Sequence, residues 1–157
     1  MTKIHLDPNP KRFEKDLLNI NVDTLVLQSK NGSLSFDAPY QRGLVWTEFQ
    51  KEALVSSIVE WIPINAIYWN EYSTSQPYEV IDGKQRLTTI IDYCLDRFKW
   101  SGYLYSELPK KHQAIIRGFS VGIYLTRYET VEECEKLYDR INYYGTPHER
   151  KESFPNK

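Results

Sequence analysis

Residues 79–91 read Glu-Val-Ile-Asp-Gly-Lys-Gln-Arg-Leu-Thr-Thr-Ile-Ile, a short apolar strand that runs through Asp82-Gly83 into an amphipathic helix. Glycine lets the main chain turn sharply there and approach a ligand closely. The start of the following helix offers free N–H groups and a positive dipole end, where anions prefer to sit. Arg86 in the first turn adds a forked cation suited to phosphate. Strand, glycine, cation and helix start together read as a phosphate-binding corner. The same residues read equally as a tight strand-to-helix turn with a solvated arginine, and taken alone they leave both readings open.

Working outward, the punctuation is clear from Thr47 onward. Thr47 and Gln50 form a capping box, and Leu54, Ile58 and Trp61, with Val55 and Ile62 alongside, make a helical apolar stripe that Pro63 ends. Ile64–Trp69 and Tyr78–Ile81 read as strands on either side of a polar turn at Ser73–Gln76. A helix is predicted from about Gln85 to Phe98, and another over Pro109–Arg117 with Gly118 after it. Val121–Tyr128 reads as a third strong strand, and Thr130 with Glu133 caps a helix to about Ile141. Asn9-Pro10 looks like an N-cap followed by proline at the first helical position, predicting a short helix to about Asn19. Residues 21–38 admit two readings. One is a hairpin turning at Asn31-Gly32. The other is a helix capped by Asn21 and ended by Gly32, followed by a short strand at Leu34–Phe36. Local chemistry leans to the hairpin.

The sum is one α+β domain over residues 1–157, with 1–20 as an N-terminal helical extension. Strands near 64–69, 78–81 and 121–127 are expected to share a small mixed sheet, with helices 47–61 and 86–98 packed on it.

The bulk properties narrow the function classes. A chain of 157 residues with 41% apolar and 26% charged content can build one real core. No apolar run approaches a membrane span, and the opening Met-Thr-Lys-Ile-His-Leu-Asp has no apolar signal region, so a cytoplasmic setting is expected. Cys94 and Cys134 stand apart without metal-type spacing, which predicts reduced thiols and no metal ligands. The net charge of −1 gives no global attraction to nucleic acid, so any DNA contact must come from a local patch. Twelve tyrosines and four tryptophans are an aromatic surplus that suits cores, interfaces or base stacking.

Three segments form a recognisable pattern: Pro39-Tyr40-Gln41-Arg42-Gly43-Leu44-Val45-Trp46, then Val80-Ile81-Asp82-Gly83-Lys84-Gln85-Arg86-Leu87-Thr88, then Leu137-Tyr138-Asp139-Arg140-Ile141-Asn142 leading to Gly145-Thr146-Pro147. Over roughly residues 21–150 this resembles the family that forms the N-terminal part of GmrSD-type modification-dependent restriction enzymes, itself similar in fold to ParB and sulfiredoxin. The resemblance implies a ParB/sulfiredoxin-like fold and tips residues 22–31 toward helix, against the local reading. It implies that the Asp-Gly-x-x-Arg turn is the nucleotide-phosphate site, which restriction-enzyme members use to hydrolyse nucleoside triphosphates with Mg²⁺. Carried residue by residue, Asp82 and Arg86 become the catalytic candidates. Gly83, Lys84, Gln85, Arg86, Gln41, Arg42 and Asn142 become the nucleotide contacts. Lys84 stands where family members more often carry glutamine, and adds a second cation. The resemblance also implies partners: the nucleotide, DNA, and a nuclease or other effector. No His-Asn-His nuclease pattern occurs in these 157 residues, so cleavage is expected from elsewhere, in restriction, phage defence or phage counter-defence.

Each site residue has a structural reading beside the functional one. Arg42 next to Tyr40 and Trp46 suits aromatic stacking or a carboxylate pair. Asp82 suits an Asx cap on the following turn. Asn142 before Tyr143-Tyr144-Gly145 suits a helix C-terminus. His5, His112 and His148 are scattered, and Lys110-Lys111-His112 and Arg150-Lys151 read as solvated faces. Two function classes therefore stand: a nucleotide-binding, NTP-hydrolysing domain, and a non-catalytic DNA-binding or protein-interaction module on the same fold. If the first holds, Arg42 and Arg86 should converge on one cleft with the Gly83 turn.

Overall fold

The computed structural model describes residues 13–41 and 43–143. Among these, five helices and a five-stranded mixed sheet make an α+β architecture. The strands are β1 (Asp16–Asn21), β2 (Leu34–Ser35), β3 (Ile67–Asn70), β4 (Tyr78–Asp82) and β5 (Ser120–Thr126). The helices are α1 (Val22–Lys30), α2 (Glu48–Val59), α3 (Lys84–Cys94), α4 (Lys110–Gly118) and α5 (Val131–Asn142).

The sheet order is β1-β5-β3-β4-β2. β1 pairs antiparallel with β5, β5 parallel with β3, β3 antiparallel with β4, and β4 parallel with β2. The β3–β4 ladder shifts register between Tyr68 and Trp69. The three strands expected from sequence share this sheet, and Val121, Ile123 and Leu125 alternate inward along β5 as a period of two requires. They meet Val22 and Leu25 of α1, Leu54, Val55 and Ile58 of α2, Leu87, Ile90 and Ile91 of α3, and Ile116 of α4 in a single core. Asn70, wholly buried at the end of β3, is satisfied by a local network. Its Oδ1 accepts from the Tyr128 amide at 2.8 Å and from Thr126 Oγ1 at 2.8 Å, and its Nδ2 donates to the Tyr128 carbonyl at 3.1 Å.

Both capping boxes form, at Thr47–Gln50 and Thr130–Glu133. Two local readings are corrected. The helix expected to run to about Asn19 is replaced from Asp16 by β1, because Leu18 and Ile20 can then turn toward the core while the backbone completes the open edge of β5. Its earlier part, residues 1–12, lies outside the described residues. The hairpin at Asn31-Gly32 is likewise not formed. Asn21 Oδ1 accepts from the Thr24 amide at 2.9 Å and starts α1, whose Val22 and Leu25 are fully buried one turn apart. The helix reading implied by the family resemblance holds there. α3 stops at Cys94, short of the expected Phe98, and Asp96 beyond it takes a left-handed conformation.

Candidate functional site

The decisive turn is built as its residues suggest. β4 ends at Asp82, Gly83 takes φ +95°, and α3 begins at Lys84. Glycine is required for two reasons: the left-handed backbone, and the lack of room for a side chain. A Cβ at position 83 would stand 2.8 Å from Ile67 Cγ1 and 3.0 Å from Arg86 Nη2. Among the described residues no side chain caps the start of α3, whereas Asn21, Thr47 and Thr130 cap α1, α2 and α5. Its first amides are therefore left to solvent or a ligand.

Arg86 lies one helical turn from Asp82. Its Nη2 donates to Asp82 Oδ2 at 3.2 Å and to the Ala66 carbonyl at 3.1 Å, with both side chains more than four-fifths buried. Arg86 Nε is also buried and has no hydrogen-bond partner among the described residues. Asp82 Oδ1 accepts from Asn142 Nδ2 at 3.3 Å, and the same amide donates to the Tyr138 carbonyl at 2.8 Å. Each Asp82 oxygen is thus engaged, one by α3 and one by α5. Its side chain holds Arg86 and Asn142 and does not cap the turn.

These residues line a cleft of about 420 Å³ bounded by Gln41, Val45, Trp46, Asp82–Arg86, Tyr138, Asn142 and Tyr143. Of the nucleotide contacts expected from sequence, Gln41, Gly83, Lys84, Gln85, Arg86 and Asn142 come together here, from a loop, a strand end and two helices. Arg42 lies outside the described residues, so its convergence with Arg86 is not described. Gln41 and Gln85 do structural work in this arrangement. Gln41 Nε2 donates to the Val80 and Ile81 carbonyls of β4. Gln85 Oε1 accepts from the amides of Val45 and Trp46 at 3.2 and 3.3 Å, and its Nε2 donates to the Gly43 carbonyl at 2.8 Å.

Behind the cleft, Glu79 Oε1 accepts from Tyr40 at 2.7 Å and from Tyr72 at 3.0 Å, and the Tyr72 hydroxyl lies 3.3 Å from Cys134 Sγ on α5. Burial raises both phenols far above their usual range, with Glu79 adding to the effect, and pushes the Cys134 thiol up to about 11. The Tyr40 ring packs 5.4 Å from that of Tyr138. This network fixes α5 against β4, and through it Asn142. Sequence reasoning missed it, and it missed Tyr138 and Tyr143 as cleft residues. The available signal for Tyr138 was its spacing: it stands four residues before Asn142 and shares its helix face.

Among the described residues no three His, Cys, Asp or Glu side chains converge as a metal cage, and no helix is long and apolar enough to cross a membrane. The sequence family described as GmrSD restriction endonuclease, N-terminal domain, matches residues 22–157. No curated protein matches the chain.

Proposed function

We propose, for a chain that belongs to the GmrSD restriction endonuclease N-terminal domain family, that the Asp82–Arg86 cleft binds a nucleoside triphosphate with Mg²⁺ in the service of DNA restriction. The fold in this reading is of the ParB/sulfiredoxin type. The observation that carries it is Arg86, pinned through Nη2 while its buried Nε lacks an acceptor among the described residues, beside an uncapped helix start. An unpaired buried donor costs about 1–3 kcal/mol, a cost that a phosphate oxygen would relieve once a small shift of the Arg86 side chain opens Nε to the cleft. A cleft of about 420 Å³ also falls in the size range of small-molecule sites.

In this reading the Gly83 turn and the first α3 amides take the phosphate oxygens, with Lys84 and Arg86 as the cations. Mg²⁺ suits a site with few protein carboxylates, because it is held largely by phosphates and water. Asp82 is the carboxylate in the lining that can complete its shell. The ion neutralises phosphate charge when bound. Among the described residues no histidine lines the cleft, and Asp82 already holds Arg86 and Asn142, so none of their side chains is placed as a free general base. Hydrolysis by this domain alone is therefore slow and depends on a partner. The family's name supports DNA and a nuclease as the wider setting.

One observation favours the non-catalytic reading. Val45 in the cleft lining and its chain neighbours Leu44 and Phe49 are 69%, 58% and 81% exposed, apolar surface that suits a protein contact. Titration of ATP, GTP, CTP and UTP with Mg²⁺ separates the two. Saturable binding that weakens about 10–100-fold in Arg86→Ala, as loss of a charged hydrogen-bond donor predicts, supports the nucleotide site. Absence of binding by all four leaves the interaction module.

A further inference from the structure

We infer that Gln85 is a positioning residue that couples the phosphate corner to a separate subsite for the nucleobase, formed between the Val45–Trp46 segment and the Tyr138–Tyr143 end of α5. This rests on the nucleotide reading above.

The phosphate corner accounts for Gly83, Lys84 and Arg86. The rest of the lining is half polar, with Gln41, Asp82, Gln85 and Asn142, and half apolar or aromatic, with Val45 and Trp46 from the loop and Tyr138 and Tyr143 from α5 and its end. The two apolar or aromatic walls offer little to a phosphate, but they suit the flat face of a base, for which aromatic platforms are sequence-tolerant partners. The two walls are supported differently. Tyr138 lies in the last turn of α5 and Tyr143 directly follows it, with Tyr138 backed by Tyr40. Val45 and Trp46 lie in a segment with no helix or strand of its own. That segment is held in the middle by the Gln85 amide, through the three bonds to Gly43, Val45 and Trp46. Its two ends are held by Gln41 on the β4 carbonyls and by the Thr47–Gln50 capping box.

The orientation of the Gln85 amide follows from its partners. Reversal would set Nε2 against two N–H donors and Oε1 against the Gly43 carbonyl, losing all three bonds. Gln85 stands between Lys84 and Arg86 in the first turn of α3, so the residue that seats the base wall is flanked by both phosphate cations. Loss of its amide frees the wall and leaves the phosphate corner in place.

The test compares a nucleoside triphosphate with inorganic triphosphate, each with Mg²⁺, against the full chain and its Gln85→Met variant. Methionine keeps the length and removes all three bonds. We expect nucleoside triphosphate binding to weaken about tenfold, while inorganic triphosphate binding stays within about twofold. Val45→Ser, at an exposed position whose main-chain bond is kept, should show the same selective loss at several-fold and carries the test if Gln85→Met does not fold. Equal weakening for both ligands, or no change for either, overturns the inference. So does a wild-type chain that binds inorganic triphosphate as tightly as any nucleotide, although the phosphate site then survives. A wild-type chain that binds neither ligand overturns the nucleotide reading itself.

Discussion

Gly83→Ala puts the architecture of the corner to its most direct test, because two independent costs fall on one methyl group. The first is conformational: φ is +95°, and an L-residue in the left-handed region costs about 1–2 kcal/mol. The second is steric. The added Cβ would lie 2.8 Å from Ile67 Cγ1 and 3.1 Å from Ile67 Cγ2, and Ile67 is fully buried in β3 with no room to retreat. Overpacking of a tight core costs typically about 1–3 kcal/mol. The expected loss is about 3 kcal/mol, which for a domain of this size lowers Tm by about 6–12 °C. The origin of the loss can be checked with Ile67→Ala. Shortening Ile67 costs stability through its cavity, but in that background the steric share of Gly83→Ala disappears. The double variant should therefore be at least about 1 kcal/mol more stable than the sum of the two singles predicts. The assay is urea unfolding of the four proteins, followed by circular dichroism, with thermal melts in parallel. A Gly83→Ala shift under about 2 °C, or strict additivity with Ile67→Ala, would refute the reasoning.

Two further outcomes follow from the structure. Asn70→Ala leaves the amide and carbonyl of Tyr128 short of partners, while the Thr126 hydroxyl keeps the Trp69 carbonyl at 3.0 Å, and the loss is expected to destabilise the chain by about 2–4 kcal/mol in the same unfolding assay. Alkaline pH should unfold the protein cooperatively. Burial raises Cys94 from 9.0 to about 12, Cys134 from 9.0 to about 11 and Tyr93 from 10.0 to about 12, so the neutral forms are favoured in the folded state. That stability is fully present below pH 9, and it is lost progressively as pH rises through 9 to 12, where the unfolded chain gives up these protons first. Stability measured by urea unfolding at pH 6.5, 8 and 10.5 should be level over the first interval and fall over the second; a level profile throughout would contradict the burial of these groups.

How much was legible in the sequence differs from element to element, for physical reasons. Thr47–Gln50 and Thr130–Glu133 each carry their whole signal within four residues, so α2 and α5 could be placed from local chemistry. Asp82, Gly83 and Arg86 were legible for the same reason, since the turn is made by neighbours in the chain. β1 was not legible, because Leu17, Leu18 and Ile20 become a strand only when β5 presents an open edge to them. α1 was misread locally because Asn31-Gly32 serves a helix end as well as a hairpin turn, and the choice is made by burial of Val22 and Leu25 where α1 packs on the distant helices α3 and α4. At the site, the residue types of Gln41 and Gln85 were evident, but their partners were not. Both glutamines bond to main-chain groups about 40 positions away, a pairing that has no trace in spacing.

The strand order has a consequence for how the molecule is made. β1 and β2 lie at opposite edges of the sheet although both come from the first part of the chain, and β1 precedes the family match, which begins at residue 22. Asp16 pairs with Leu125, and Arg127 reaches back 111 positions to bond Asp16. A chain emerging from the ribosome must therefore carry β1 unpaired until β5 has been synthesised, and closing so long a loop is slow. Variants shortened at the N-terminus would leave the β5 edge open throughout the life of the protein. Self-association through that edge is the hazard any recombinant form beginning at residue 22 has to manage.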